Sequence, residues 1–251
     1  MAKAFRSGNP ALSAKTFKGL MVAESAERMS LQGTVNRAAI LLLLAMIPAI
    51  LVWGGFLATR SVAAAGTAAL AGSLLGLAAG IVTVLRKTWS PVTAPIYALL
   101  EGLVLGGLSS ILETSYPGIV LQAVGLTFGV FLALLLAYTS RLIPVTQNFR
   151  LGVVAATGGI ALTYLLTLVL GLFGVRVPFI HEGGLIGIAF SLVVILVAAL
   201  NLVLDFDFIE SGVATGAPKY MEWYAAFGLI VTLIWLYLEI LHLLAKLRSR
   251  D

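Results

Sequence analysis

Seven stretches of about 20 residues, almost wholly apolar and separated by short polar turns, constrain this chain more than any motif does. A helix rises about 1.5 Å per residue, so each stretch matches a hydrocarbon core roughly 30 Å thick. Backbone groups in lipid find no water, which leaves helices with internal hydrogen bonds as the fitting element. With 60% hydrophobic and 11% charged residues, there is more apolar surface than one water-facing fold can bury. The sequence predicts an all-α integral membrane protein.

In chain order, residues 1–36 form a polar, basic tail that carries Lys3, Arg6, Lys15, Lys18 and Arg28. No apolar core precedes a small-residue cleavage site, so the tail does not read as a cleaved signal peptide. A short interfacial helix over Phe17 to Met29 is conceivable, but a loosely docked tail is the simpler expectation. The transmembrane domain is expected over 37–251. Its blocks are Ala38 to Thr59, Val62 to Leu85, Val92 to Leu112, Ile119 to Tyr138, Leu151 to Phe173, Gly184 to Leu204 and Tyr220 to Leu247. A Gly/Ala loop is expected from Ser211 to Pro218. Small-xxx-small pairs at Gly76/Gly80, Gly102/Gly106, Gly125/Gly129 and Gly183/Gly187 suggest close helix packing.

The positive-inside bias places the tail, Arg86, Lys87, Arg141, Arg150 and Lys219 in the cytoplasm, with only Arg60 and Arg176 in outer loops. Lys246, Arg248 and Arg250 break that pattern if the chain crosses seven times. The alternative is six crossings with a re-entrant carboxyl-terminal helix. The net charge of +5 suits an anionic membrane surface, and no base-reading motif points to nucleic acid. The chain has no cysteine and only two histidines, His181 and His242, which leaves no disulfide framework and no ligand set for a structural metal. No cofactor motif, phosphate loop or nucleophile elbow is evident, and the chain does not read as an enzyme.

The chemistry is carried by acids. Glu101, Asp205, Asp207, Glu222 and Glu239 lie within or beside apolar blocks, and no Lys or Arg is placed in mid-span. An unpartnered carboxylate in hydrocarbon costs roughly 2.5 to 3.5 kcal/mol on insertion scales, so it must protonate, pair or meet water. Two such groups brought together share a proton, which makes a device sensitive to pH. Glu239 and His242 also stand three apart, as in half of a helical metal set, without the second half.

The run Leu204-Asp-Phe-Asp-Phe-Ile-Glu-Ser-Gly212, followed by Leu236-Tyr-Leu-Glu-Ile-Leu241, resembles the last two helices of the Bax inhibitor-1-like family in its bacterial branch. The resemblance implies seven helices with the last packed centrally, and a pH-sensitive calcium leak gated by a two-acid latch. By position, Asp205 matches the sixth-helix acid and Glu239 the seventh-helix acid, a Glu where Asp is more usual; Arg86 matches a supporting basic position. Glu101, Asp207 and Glu222 are further candidates for the ion path. Calcium and protons are the expected partners, with transient calcium near Asp205 and Glu239, in a bacterial-type plasma membrane. A hairpin turning near Val213 to Ala217, however, puts Asp205 level with about Tyr224, which makes Glu222 the nearer partner. Two alternatives stand beside the channel. One is a membrane-embedded regulator of proteolysis or stress survival that contacts a membrane protease or another membrane protein; the other is a proton-coupled transporter.

Overall fold

A computed structural model describes residues 28–174 and 184–249. Among these residues seven helices are long and apolar enough to cross a membrane. They are α1 (Leu31–Thr59), α2 (Val62–Leu85), α3 (Ser90–Ser115), α4 (Ile119–Thr139), α5 (Gln147–Leu172), α6 (Leu185–Ala214) and α7 (Met221–Arg248). No strand is present among the described residues; the extended pairing there is a single bridge between Arg28 and Pro218. The suggested interfacial helix falls largely outside the described residues, as do Arg176, His181 and Arg250.

Local chemistry sets the helix ends. Ser30 caps α1 by accepting from Gly33 N at 3.0 Å, and Ser61 caps α2 by accepting from Ala64 N at 3.2 Å. Thr146 does the same for α5 through Phe149 N at 3.2 Å. The Glu113 carboxylate reaches across the α3–α4 turn to Gly118 N and Val120 N, at 2.6 and 3.1 Å, and places its charge at the positive end of α4. Pro48 lies inside α1 and Pro95 inside α3 without ending either helix.

These caps move the boundaries read from hydropathy. α1 begins at Leu31 rather than near Ala38, and α5 at Gln147 rather than Leu151, because each cap lies in polar sequence before the apolar run. α6 continues about three turns past Leu204, so the expected loop from Ser211 is helical as far as Ala214. The chain then turns through Gly216, whose φ is 67°.

α7 is the centre of the bundle, packed against α6, α1, α4 and α3, while α2 packs mainly on α3. Tyr224, Leu236 and Leu241 on α7 are fully buried, as the expectation of a central last helix requires. Leu74 and Leu77 on α2 and Leu165 and Leu168 on α5 point outward, where lipid solvates them at no cost. Backbone contact between helices is made by glycine. A Cβ on Gly102 would lie 2.2 Å from the Ala45 carbonyl oxygen of α1, one on Gly106 2.6 Å from that of Ala49, and one on Gly72 2.6 Å from that of Leu100. Gly125 and Gly129 have nothing within 4 Å of that position, so their spacing marks no interface within the described chain.

The two ends of α7 decide the number of crossings. Its start lies beside Ser30, where Met29 N donates to Ala217 O at 2.7 Å. Its end lies beside the α3–α4 turn, where Arg248 donates to Pro117 O at 2.7 Å and Gln122 Oε1 at 3.2 Å. α7 therefore traverses the whole bundle, and the re-entrant alternative does not hold. Lys246 is occupied in the same way, donating to Ser191 Oγ at 2.8 Å and Gly187 O at 3.2 Å on α6. Arg248 is thus held at the α3–α4 turn and Lys246 at the first turns of α6.

Candidate functional site

The Asp205 side chain is fully buried, where α6 faces α7. Neither of its carboxyl oxygens has a hydrogen-bond partner among the described residues. The Thr232 hydroxyl of α7 faces it but donates to the Gly228 carbonyl at 3.2 Å. An ionised carboxylate here would have neither water nor a counter-charge, a state that costs several kcal/mol. One turn earlier, Asn201 is buried and points toward α5, with Nδ2 2.7 Å from Thr157 Oγ1.

Glu239 is almost as deeply buried, but it is partnered. Tyr164 of α5 donates to Oε1 at 2.6 Å, and Trp235 Nε1, one turn back on α7, donates to the same oxygen at 3.3 Å. Asp205 lies level with Thr232 rather than with Tyr224, because α6 runs on to Ala214 and moves the hairpin register. Glu239 then lies about two turns, or about 10 Å, to one side of Asp205 along α7, and Glu222 about three turns, or about 15 Å, to the other. The structure brings neither acid into hydrogen-bond contact with Asp205.

Glu222 is fully buried and tied to α1. Ser30 N and Ser30 Oγ both donate to Oε1 at 2.9 Å, and Arg37 approaches Oε2 at 2.9 Å. Lys219 lies 3.7 Å from Oε1. Asp207 is joined to Arg150 of α5 at 2.6 Å, and Glu210 to Arg141 at 2.5 Å and to the Tyr138 hydroxyl. That bond to Glu210 holds the exposed Arg141 guanidinium above its ordinary pKa. Cations near helix starts, not at mid-span, therefore answer two of the acids. Arg37 and Arg150 lie inside α1 and α5, helices that start earlier than their apolar runs.

Glu101 stands on the α2–α3 face, against Gly76 and one turn from Tyr97. Arg86 caps the end of α2 and stacks over Trp89 at 5.9 Å. Neither hydrogen-bonds Asp205. An apolar crevice of about 640 Å³ between α1, α3, α4 and α7 is also separate; Leu42, Trp53, Phe128 and Ile234 line it, and the paired hydroxyls of Ser109 and Tyr237 (2.7 Å) lie at its wall. It contains none of the acids. No group of three or more His, Cys, Asp or Glu able to hold a metal occurs among the described residues. Sequence reading passed over Asn201 and Thr157, whose only signal was an amide and a hydroxyl inside apolar runs.

A family model described as Bax inhibitor 1 like matches residues 9–249. The chain belongs to the Bax inhibitor 1 like family. The match takes in all seven helices, so this Bax inhibitor 1 like chain is a multi-pass membrane protein over its full described length. Comparison with curated proteins and with solved structures gave no match.

Proposed function

We propose that this protein is a pH-sensitive calcium leak channel, not an enzyme, gated by protonation of Asp205 and Glu239. One observation carries the reading: a carboxyl group fully buried between two helices with no partner for either oxygen. While it keeps its proton, α6 and α7 stay packed. When the proton leaves, the uncompensated charge favours a state in which water and a cation enter beside α7. Glu239, about two turns away and held by Tyr164 and Trp235, is the second acid on that path. The two acids act at separate depths in this reading, coupled through α7 rather than by one shared hydrogen bond.

The positive-inside bias supports a cytoplasmic Ser30 end, and the family resemblance supports a bacterial-type plasma membrane. Arg37 with Glu222, and Arg150 with Asp207, then form a charged rim at the cytoplasmic end that a calcium ion meets on leaving.

Calcium flux into liposomes at several pH values tests the reading, with wild type, Asp205→Asn, Glu239→Gln and Glu222→Gln compared. The expected result is flux whose pH dependence is lost in the first two variants and kept in the third. No flux above empty liposomes, with the protein shown to be folded, would sink it.

A further inference from the structure

The apolar crevice takes no part in the gate, and its walls define what fills it. α1 and α4 both pack on α7 but hardly on each other, which leaves a gap between them above α7 and the last turns of α3. Met46 and Ile50 of α1 and Phe128 of α4 form an exposed rim, while Ile230, Ile234 and Tyr237 of α7 form a buried floor. All of them belong to membrane-spanning helices, so the medium at the mouth is hydrocarbon. Water gains nothing on such walls, and an empty slot forfeits the dispersion contacts of its lining.

The slot is long and narrow. From Leu42 to Leu57 it follows α1 for about 22 Å. Spread over that length, 640 Å³ leaves a section of about 30 Å². A helix with side chains is about 10 to 12 Å across, roughly three times that section, so a helix of a second copy does not enter. A single extended hydrocarbon chain does, since its carbons approach their neighbours to about 4 Å.

One polar feature interrupts the wall. Ser109 and Tyr237 are buried, and their hydroxyl oxygens lie 2.7 Å apart. That bond uses one of the two hydroxyl hydrogens, and the other has no acceptor among the described residues. Thr127, also on the wall, is satisfied by donating to the Ala123 carbonyl at 2.7 Å. Gly102 faces Ala45 and Gly106 faces Ala49, so Ser109 is about level with Trp53. From there to Leu42 the slot runs about 16 Å, close to the hydrocarbon depth of one leaflet. The spare hydrogen thus stands where a lipid chain begins.

We propose that this crevice binds one acyl chain of a bilayer phospholipid. The chain lies along α1 over Ile230 and Ile234, and its ester carbonyl accepts the spare hydrogen of the Ser109–Tyr237 pair. The site stands on the geometry of the crevice and is independent of the leak-channel reading.

Photolabelling of the full-length protein in liposomes tests it, with a trace of phosphatidylcholine that carries a diazirine midway along one chain. Mass spectrometry is expected to find adducts on Ile230 and Ile234, beside the ordinary boundary-lipid adducts on outward-facing Leu74 and Leu165. Adducts on the outward residues with none on the floor would overturn the proposal, whether the slot is then empty or covered by a second copy. Gly54 lines the slot and Gly55 does not, and a Cβ on either meets nothing within 4 Å. Gly54→Phe is therefore expected to lose the floor adducts and Gly55→Phe to keep them; equal labelling of the floor in both contradicts the site. Wild type alone gives a further arm, which serves if Gly54→Phe does not fold. Unlabelled ester-linked phosphatidylcholine is expected to compete about fivefold better than its ether-linked analogue, the worth of one hydrogen bond. Ser109→Ala combined with Tyr237→Phe should abolish that preference. Equal competition in wild type overturns the carbonyl contact, and a free fatty acid that outcompetes the phospholipid overturns the choice of lipid.

Discussion

Ser30 and Glu222, 192 positions apart, are joined by two hydrogen bonds of 2.9 Å, from the Ser30 N–H and from its hydroxyl to one carboxylate oxygen. The same serine caps α1, so one carboxylate fixes the start of α1 against the start of α7. Glu222→Ala removes these bonds and leaves Arg37, 22% exposed at its side chain, facing a buried gap. The expected loss is about 2 to 3 kcal/mol, seen as a lower unfolding midpoint in detergent. Glu222→Gln keeps an oxygen for Ser30 and should lose less. A midpoint unchanged in both variants would show that the clasp contributes nothing.

Helix contact through glycine makes a paired prediction. Gly102→Ala places a methyl 2.2 Å from the Ala45 carbonyl oxygen, a backbone atom that yields only if α1 and α3 separate. It is expected to destabilise by about 1 to 3 kcal/mol. Gly125→Ala meets nothing within 4 Å and is expected to be neutral or to stabilise by up to about 1 kcal/mol through helix propensity. Thermal unfolding of the two variants side by side checks the contrast.

The two acids at the end of α6 differ in shelter. Arg150 and Asp207 are mostly covered, with side-chain exposures of 14% and 21%, whereas those of Arg141 and Glu210 are 70% and 46%. A double-mutant cycle on the first pair is expected to give a coupling of about 1 to 2 kcal/mol that survives added salt. The exposed pair should give a smaller coupling that fades as salt is raised. Equal couplings would contradict the difference in burial.

Tyr164 supplies the 2.6 Å hydrogen bond to Glu239, while Tyr97 lies beside Glu101 on α3. Tyr164→Phe is expected to cost about 1 kcal/mol and to move the pH midpoint of calcium flux. Tyr97→Phe should leave that midpoint in place. If the two variants move it equally, Glu239 has no special part in gating.

Seven crossings put Ser140 and Ser249 on opposite faces of the membrane, and both are exposed. The chain has no native cysteine, so Ser140→Cys and Ser249→Cys each carry a single thiol. An impermeant maleimide added outside is expected to label Ser249→Cys and not Ser140→Cys in intact cells. Labelling of both from the same side would contradict a full crossing by α7.

Much of the fold was legible because its signal is local. A run of apolar residues long enough to cross the bilayer must be helical wherever it is placed, since its backbone has no other partner there. The seven blocks, their order, the close approach at Gly102 and Gly106, and the family all follow from neighbours in sequence. The helix ends were less legible, because Ser30 and Thr146 cap from polar sequence that hydropathy assigns to tail or loop.

By itself the sequence determined a seven-helix membrane protein with acids in its apolar segments. Only the tertiary structure decided which acids are answered: Glu222 by Ser30 and Arg37, Asp207 by Arg150, Glu239 by Tyr164, and Asp205 by no described residue. Composition and spacing cannot carry that distinction. Whether a carboxylate meets a donor depends on the rotation of each helix about its axis and on its depth against its neighbour. A shift of two turns along α7 separates Asp205's companion in Thr232 from the acid the motif suggested.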